Sequence, residues 1–150
     1  MHDEEFITLT GAIAGVFAGI RFHWGPFVEK YTYKRVYGTI LAIQILLGFS
    51  FPDFGSQYKG TFLIYVSTIF FCEGAHFTLM PIMISRLFGE QATMVYAFGF
   101  SFSGVSSLIT SLLVVFVFTD NFEACYYLGA ALCVVALLLL MFVFRDEKFV

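Results

Sequence analysis

The chain has 150 residues, of which 59% are hydrophobic and only 13% charged. Soluble globular chains run at roughly 45–50% apolar and 25% charged, so this composition excludes a water-soluble domain, and so rich an apolar content also excludes a disordered segment. A formal net charge of −3 leaves no basic footprint for nucleic acid, and the composition is that of an integral membrane protein. Cys72, Cys125 and Cys133 fall inside apolar stretches, which fits neither a disulfide framework nor a metal set, so no metal or cofactor is expected. The start, Met1-His2-Asp3-Glu4-Glu5, lacks the basic region of a signal peptide, and targeting is expected to rest on the membrane spans.

A helix crosses about 30 Å of hydrocarbon in about 20 residues. The sequence predicts an all-α fold, a polytopic transmembrane bundle of five spans forming one domain. The first span covers residues 6–28. Gly11, Gly15 and Gly19 recur every four residues along it, a spacing that lets another helix approach closely. Arg21 follows within the same span. The loop of residues 25–35 is basic, and the second span, 36–51, is uncharged and ends at Pro52, a helix-stopping residue. The third, 60–87, holds Glu73 and His76 at mid-depth, three apart and therefore on one face. It also holds Pro81, which should kink it. The fourth, 92–119, repeats Ser103, Ser107 and Ser111 at the same four-residue spacing, which suits either a helix contact or a cavity wall. The fifth, 126–144, is plainly apolar; the second and fifth spans read as outer, lipid-facing helices. Uninterrupted runs such as Leu112-Leu113-Val114-Val115 do not alternate, which excludes a β-barrel.

Lys30, Lys34, Arg35, Arg86, Arg145 and Lys148 fall in one set of loops. The other set holds only Lys59, with Asp3, Glu4, Glu5, Asp53, Asp120 and Glu123. Basic residues collect on the cytoplasmic side, so the N-terminus is expected outside and the C-terminus inside.

An ionised side chain at the bilayer centre costs at least about 2.5–3.5 kcal/mol and usually faces a cavity or a partner. Arg21 and Glu73 come at similar depth in helices that run the same way, so they either pair or border one aqueous pocket. Alternatively, Arg21 snorkels to the cytoplasmic surface and Glu73 is a protonated carboxyl bonded to backbone. Glu73 with His76 has the chemistry to carry a proton; His76 also reads as a packed, hydrogen-bonded residue.

The loop Gly25-Pro26-Phe27-Val28-Glu29-Lys30-Tyr31-Thr32-Tyr33-Lys34-Arg35 resembles the signature loop of the major facilitator superfamily, G-x-x-x-D-R/K-x-G-R/x-R/K-R/K. Gly25, Glu29, Lys30, Lys34 and Arg35 match it, whereas Thr32 replaces the second glycine and Glu29 the usual aspartate. Arg21-Phe22-His23-Trp24-Gly25, the stretch Cys72 to Pro81 and Tyr96-Ala97-Phe98-Gly99 are similar, in order and spacing, to the eighth, tenth and eleventh helices of oxalate/formate antiporters and monocarboxylate transporters. The resemblance implies the C-terminal portion of such a transporter, helices eight to twelve, with an N-terminal half missing from this chain or supplied by another. It further implies that Arg21 binds a substrate carboxylate, with Glu73, His76 and Ser103 beside it, and that the 25–35 loop latches the inward face by its charges. The second cation of the oxalate exchanger, a lysine in the eleventh helix, has no counterpart here, which turns the expectation toward a monocarboxylate-like organic anion. Proton coupling, if present, would use Glu73 or His76. The alternative is a non-transporting membrane subunit whose small-residue faces, Gly11, Gly15, Gly19, Ser107 and Ser111, dock other helices. Nothing in the sequence supports an enzyme.

Overall fold

A computed structural model describes residues 3–118 and 121–144. Thr119, Asp120, Arg145 and Lys148, used above for the span end and the charge count, lie outside the described residues. Among the described residues six α-helices make up the fold: α1 (Asp3–Gly19), α2 (Trp24–Lys30), α3 (Tyr33–Ser50), α4 (Lys59–Phe88), α5 (Ala92–Phe116) and α6 (Phe122–Phe142). There is no strand among the described residues. Four helical runs are long and apolar enough to cross a membrane: Asp3–Lys30, Tyr33–Gly55, Lys59–Phe116 and Phe122–Phe142. The chain is a multi-pass integral membrane protein.

The junctions follow from local chemistry. Between α1 and α2 the backbone tightens into a 3₁₀ turn over Ile20–His23. Pro26 lies just beyond; it has no N–H to give the Phe22 carbonyl, and its ring crowds that carbonyl. At the end of α3, Pro52 does not stop the helix as its sequence position suggests. The backbone widens into a π-helical turn, Phe51–Gly55, and continues, a way of absorbing a lost bond without breaking the run. Gly55 is required there, because a Cβ would fall 2.6 Å from the Phe51 ring. The α-helix likewise continues through Pro81 to Phe88.

The third run has 58 residues; as a straight rod it would be about 87 Å long, nearly three bilayer cores. It doubles back instead at Gly89, whose φ of +53° is one that only glycine adopts readily. Phe77 then meets Phe100 at 6.3 Å between ring centroids, and a Cβ on Gly99 would lie 3.0 Å from the Met80 methyl. These pairs are symmetric about the turn, as in a helical hairpin.

Cross-helix contacts fix the other directions. Asp3 pairs with Lys59 at 2.7 Å, Phe6 packs on Phe62 and Phe17 on Phe71. The near-constant separation along the chain means that α1 and α4 run parallel. Tyr33 packs on Phe144 and Phe51 on Tyr126, so α3 and α6 run antiparallel. Tyr65 packs on Phe51 and His76 on Tyr37, so α3 is also antiparallel to α4. Lys30, Lys34, Arg35 and Arg86 consequently gather at one end of the bundle and Lys59 at the other.

The core lies where α3, α4 and α6 meet, around Ile40, Leu41, Cys72, Ala75, Leu79 and Leu140. Helix α3, read from sequence as an outer helix, contributes more of this core than any other. Helix α1 lies against α4 through Thr10 and Ala14, both buried. By contrast, every residue of α5 from Ser101 to Leu112 is exposed.

Candidate functional site

One of the close helix approaches in the bundle sits beside Arg21. A Cβ on Gly74 of α4 would lie 2.9 Å from the Ala18 carbonyl oxygen and 3.1 Å from the Arg21 Cβ, so only glycine lets the end of α1 lie this near. The Arg21 carbonyl, in the 3₁₀ turn, accepts from the Trp24 N–H and shares the Thr78 hydroxyl, at 3.3 Å, with the Gly74 carbonyl at 3.2 Å. Gly74 and Thr78 are one turn apart on α4, so the backbone of Arg21 is held at two successive turns. Its side chain is left exposed.

Glu73 adjoins Gly74 and is also exposed. Neither Arg21 nor Glu73 makes an ion pair among the described residues. The structure therefore brings the end of α1 at Arg21 against Gly74, the neighbour of Glu73, and leaves both side chains exposed, as Phe70 and Phe77 of α4 are.

His76 is engaged by α3. Its Nε2 donates to Gln44 Oε1 at 2.9 Å, and in the neutral ring Nδ1 then accepts from the Tyr37 hydroxyl at 3.0 Å. Both ring nitrogens are satisfied by α3, and the Tyr37 ring stands edge-on to the imidazole at 5.2 Å. His76 thus ties α4 to α3 behind Glu73, which is near enough to interact electrostatically with it and with Tyr37. It also lines a cavity of about 780 Å³ with Tyr33, Tyr37, Met80, Met83 and Leu139, which Arg21 does not reach. Sequence reasoning missed Tyr37 and Gln44. The available signal was Gln44, the lone amide in the uncharged run after Arg35.

Ser103, Ser107 and Ser111 are exposed on α5. Each hydroxyl donates to a carbonyl of its own helix: Ser103 to Phe100, Ser107 to Ser103 and Ser111 to Ser107, at 2.7–2.9 Å. None is brought to Arg21 by a hydrogen bond. Gly11, Gly15 and Gly19 of α1 are exposed, and a Cβ at any of them would meet nothing within 4 Å. Both small-residue stripes thus face outward from this chain.

In the basic loop, Lys34 donates to the carbonyls of Met141 at 2.8 Å and Phe144 at 3.2 Å. A cation at these terminal carbonyls satisfies groups the helix cannot and complements its dipole. The Lys30 ammonium lies 5.5 Å from the Tyr31 ring centroid. Glu29 and Arg35 are exposed at the same end, and Gly25 has open space around it. No three-residue metal-ligand cluster occurs among the described residues.

A bundle of long apolar helices packed around an apolar core, with an arginine and a glutamate exposed on its membrane-spanning segments, belongs to the class of multi-pass membrane proteins. The family model described as Major Facilitator Superfamily matches residues 2–150, and the chain belongs to that superfamily, whose members are transporters and not enzymes. It is also similar to apicoplast pyruvate carrier 1 of Toxoplasma gondii, with 29% identity over 110 residues. That match covers 73% of this chain and 20% of the carrier; the chain spans about a fifth of the relative's length. No solved structure matches it significantly.

Proposed function

We propose that this chain is part of a secondary active transporter that moves small organic anions, monocarboxylate-like in character, by alternating access. One observation carries the reading: the end of α1 at Arg21 is fixed against Gly74 and Thr78 while the Arg21 side chain is exposed and makes no ion pair among the described residues. A guanidinium offers a fixed fork of donors to a planar carboxylate. The absence of a second cation on α5 suits a substrate with one carboxylate, and the similar carrier is named for pyruvate, which has one.

In this reading Arg21 holds the carboxylate. Glu73 borders the same pocket and is the group available to exchange a proton with it. His76, anchored to Tyr37 and Gln44, sets the position of α4 behind Glu73, and Ser103 lines the opposite wall. The chain crosses the bilayer five times, with its N-terminus outside and the basic ends of its helices in the cytoplasm. The outward stripes of α1, through Gly11, Gly15 and Gly19, and of α5, through Ser107 and Ser111, dock an N-terminal half that closes the pocket. Gly25, Glu29, Lys30, Lys34 and Arg35 form the inward latch.

Uptake of labelled pyruvate and lactate into vesicles carrying the full reading frame tests this. Arg21→Gln is expected to abolish saturable uptake and Arg21→Lys to weaken it, at equal amounts of folded protein. Unchanged uptake by both variants overturns the assignment.

A further inference from the structure

We infer that the crevice between α2 and α3 is a binding site for an anionic phospholipid of the leaflet at the basic end of the bundle. A cavity of about 460 Å³ opens there, lined by Trp24, Phe27, Tyr31, Arg35, Thr39 and Phe71. Its polar groups are graded. Arg35, in the first turn of α3, lies at the basic end with Tyr31, whereas the Trp24 and Phe71 rings, 4.9 Å apart, form its wall farther along the bundle. A charged mouth above an aromatic floor matches a lipid headgroup above its acyl chain.

Two donors at this site, those of Arg35 and Trp24, lack protein acceptors among the described residues. The Arg35 side chain makes no ion pair among the described residues, with Glu29 or any other acid. The indole N–H of Trp24 is buried without an acceptor. The Thr39 hydroxyl is committed to the Arg35 carbonyl at 2.9 Å, and neighbouring Lys34 to the end of α6. An oxygen-rich anion at the mouth is the partner that exposed Arg35 lacks. The apolar lining selects one that carries hydrocarbon over a soluble phosphate, and basic crevices between transmembrane helices are known to hold anionic headgroups. The inference concerns the outer surface and stands independently of the substrate assigned to Arg21.

Trp24 is the single tryptophan of the chain and reports directly on this cavity. The full reading frame is reconstituted in phosphatidylcholine vesicles containing either brominated phosphatidylglycerol or brominated phosphatidylcholine. The Trp24 signal is taken as the difference between wild type and Trp24→Phe. Quenching by the anionic lipid is expected at about fivefold lower mole fraction than by the zwitterionic one, the preference expected of one basic residue near the surface. Arg35→Gln should equalise the two lipids and Arg35→Lys should retain most of the preference, while glycerol phosphate should not relieve quenching. Equal quenching by both lipids in wild type overturns the inference, as does an undiminished preference in Arg35→Gln. Relief by glycerol phosphate would show a free-phosphate site in its place and likewise overturns it.

Discussion

Placing one methyl group at Gly74 tests how Arg21 is positioned. In Gly74→Ala the new Cβ would stand 2.9 Å from the Ala18 carbonyl oxygen, 3.1 Å from the Arg21 Cβ and 3.4 Å from the Ala18 Cα. Two of these atoms are backbone and the third is the root of a side chain, so none can swing aside; α1 must move off α4 by several tenths of an ångström. Overpacking of this kind costs about 1–3 kcal/mol, against which stands the roughly 1 kcal/mol by which alanine favours a helix over glycine. Gly129→Ala in α6 supplies the reference, because it carries the same helix term and meets nothing within 4 Å. Thermal unfolding of the full-length protein in detergent should place Gly74→Ala below Gly129→Ala by about 1–3 kcal/mol, as the propensity term cancels. A second reference, Gly48→Ala, puts a Cβ 2.9 Å from that of Ala130 and loosens α3 from α6 far from Arg21. Gly74→Ala and Gly48→Ala should therefore lose comparable stability, but only the former should raise the half-saturation concentration for substrate. Equal stability of Gly74→Ala and Gly129→Ala would refute the close approach. An unchanged half-saturation concentration in folded Gly74→Ala would refute its role in placing Arg21.

Other perturbations have equally definite expectations. Tyr37→Phe removes the hydroxyl that His76 Nδ1 accepts from at 3.0 Å and leaves a half-buried nitrogen unpaired, which should cost about 1–3 kcal/mol in thermal unfolding; a neutral effect would mean that His76 is not held by α3. Lys34→Met deprives the end of α6 of its cation and should cost about 0.5–2 kcal/mol, seen as faster amide hydrogen exchange in the last turn of α6 and unchanged exchange in α1. Gly89→Ala forces a side chain onto a φ of +53° and should destabilise the α4–α5 hairpin by about 1–3 kcal/mol; retention of full stability would show that the turn does not need glycine.

Much of the fold is legible in the sequence because a bilayer makes apolar length informative. The helices lie on the uncharged runs, and counting depth from the acidic end places Arg21 beside Glu73, as parallel α1 and α4 do. Neighbour identity is what residue spacing does not encode. The stripe Gly11, Gly15, Gly19 shows which face of α1 is smooth, yet no described residue would come within 4 Å of a Cβ there; tight contacts occur at Gly74 and Gly48, single glycines without a motif. The same limit hides the partners of His76. Tyr37 and Gln44 stand 39 and 32 positions away, and only the crossing of α3 over α4 brings them to the ring. Pro52 shows a different failure: a lost hydrogen bond predicts interruption, but a wider turn accommodates it and the helix runs on to Gly55.

The central claim is that Arg21 binds the carboxylate of the transported anion. Equilibrium binding of labelled pyruvate to the purified full-length protein, compared with Arg21→Lys and Arg21→Gln, measures this without requiring turnover. Removing one partner of a hydrogen-bonded charge pair costs about 2–5 kcal/mol, so Arg21→Gln should weaken binding by about 30-fold or more. Arg21→Lys, which keeps the charge and loses the fork, should fall between it and wild type. Binding to Arg21→Gln as tight as to wild type would contradict the account.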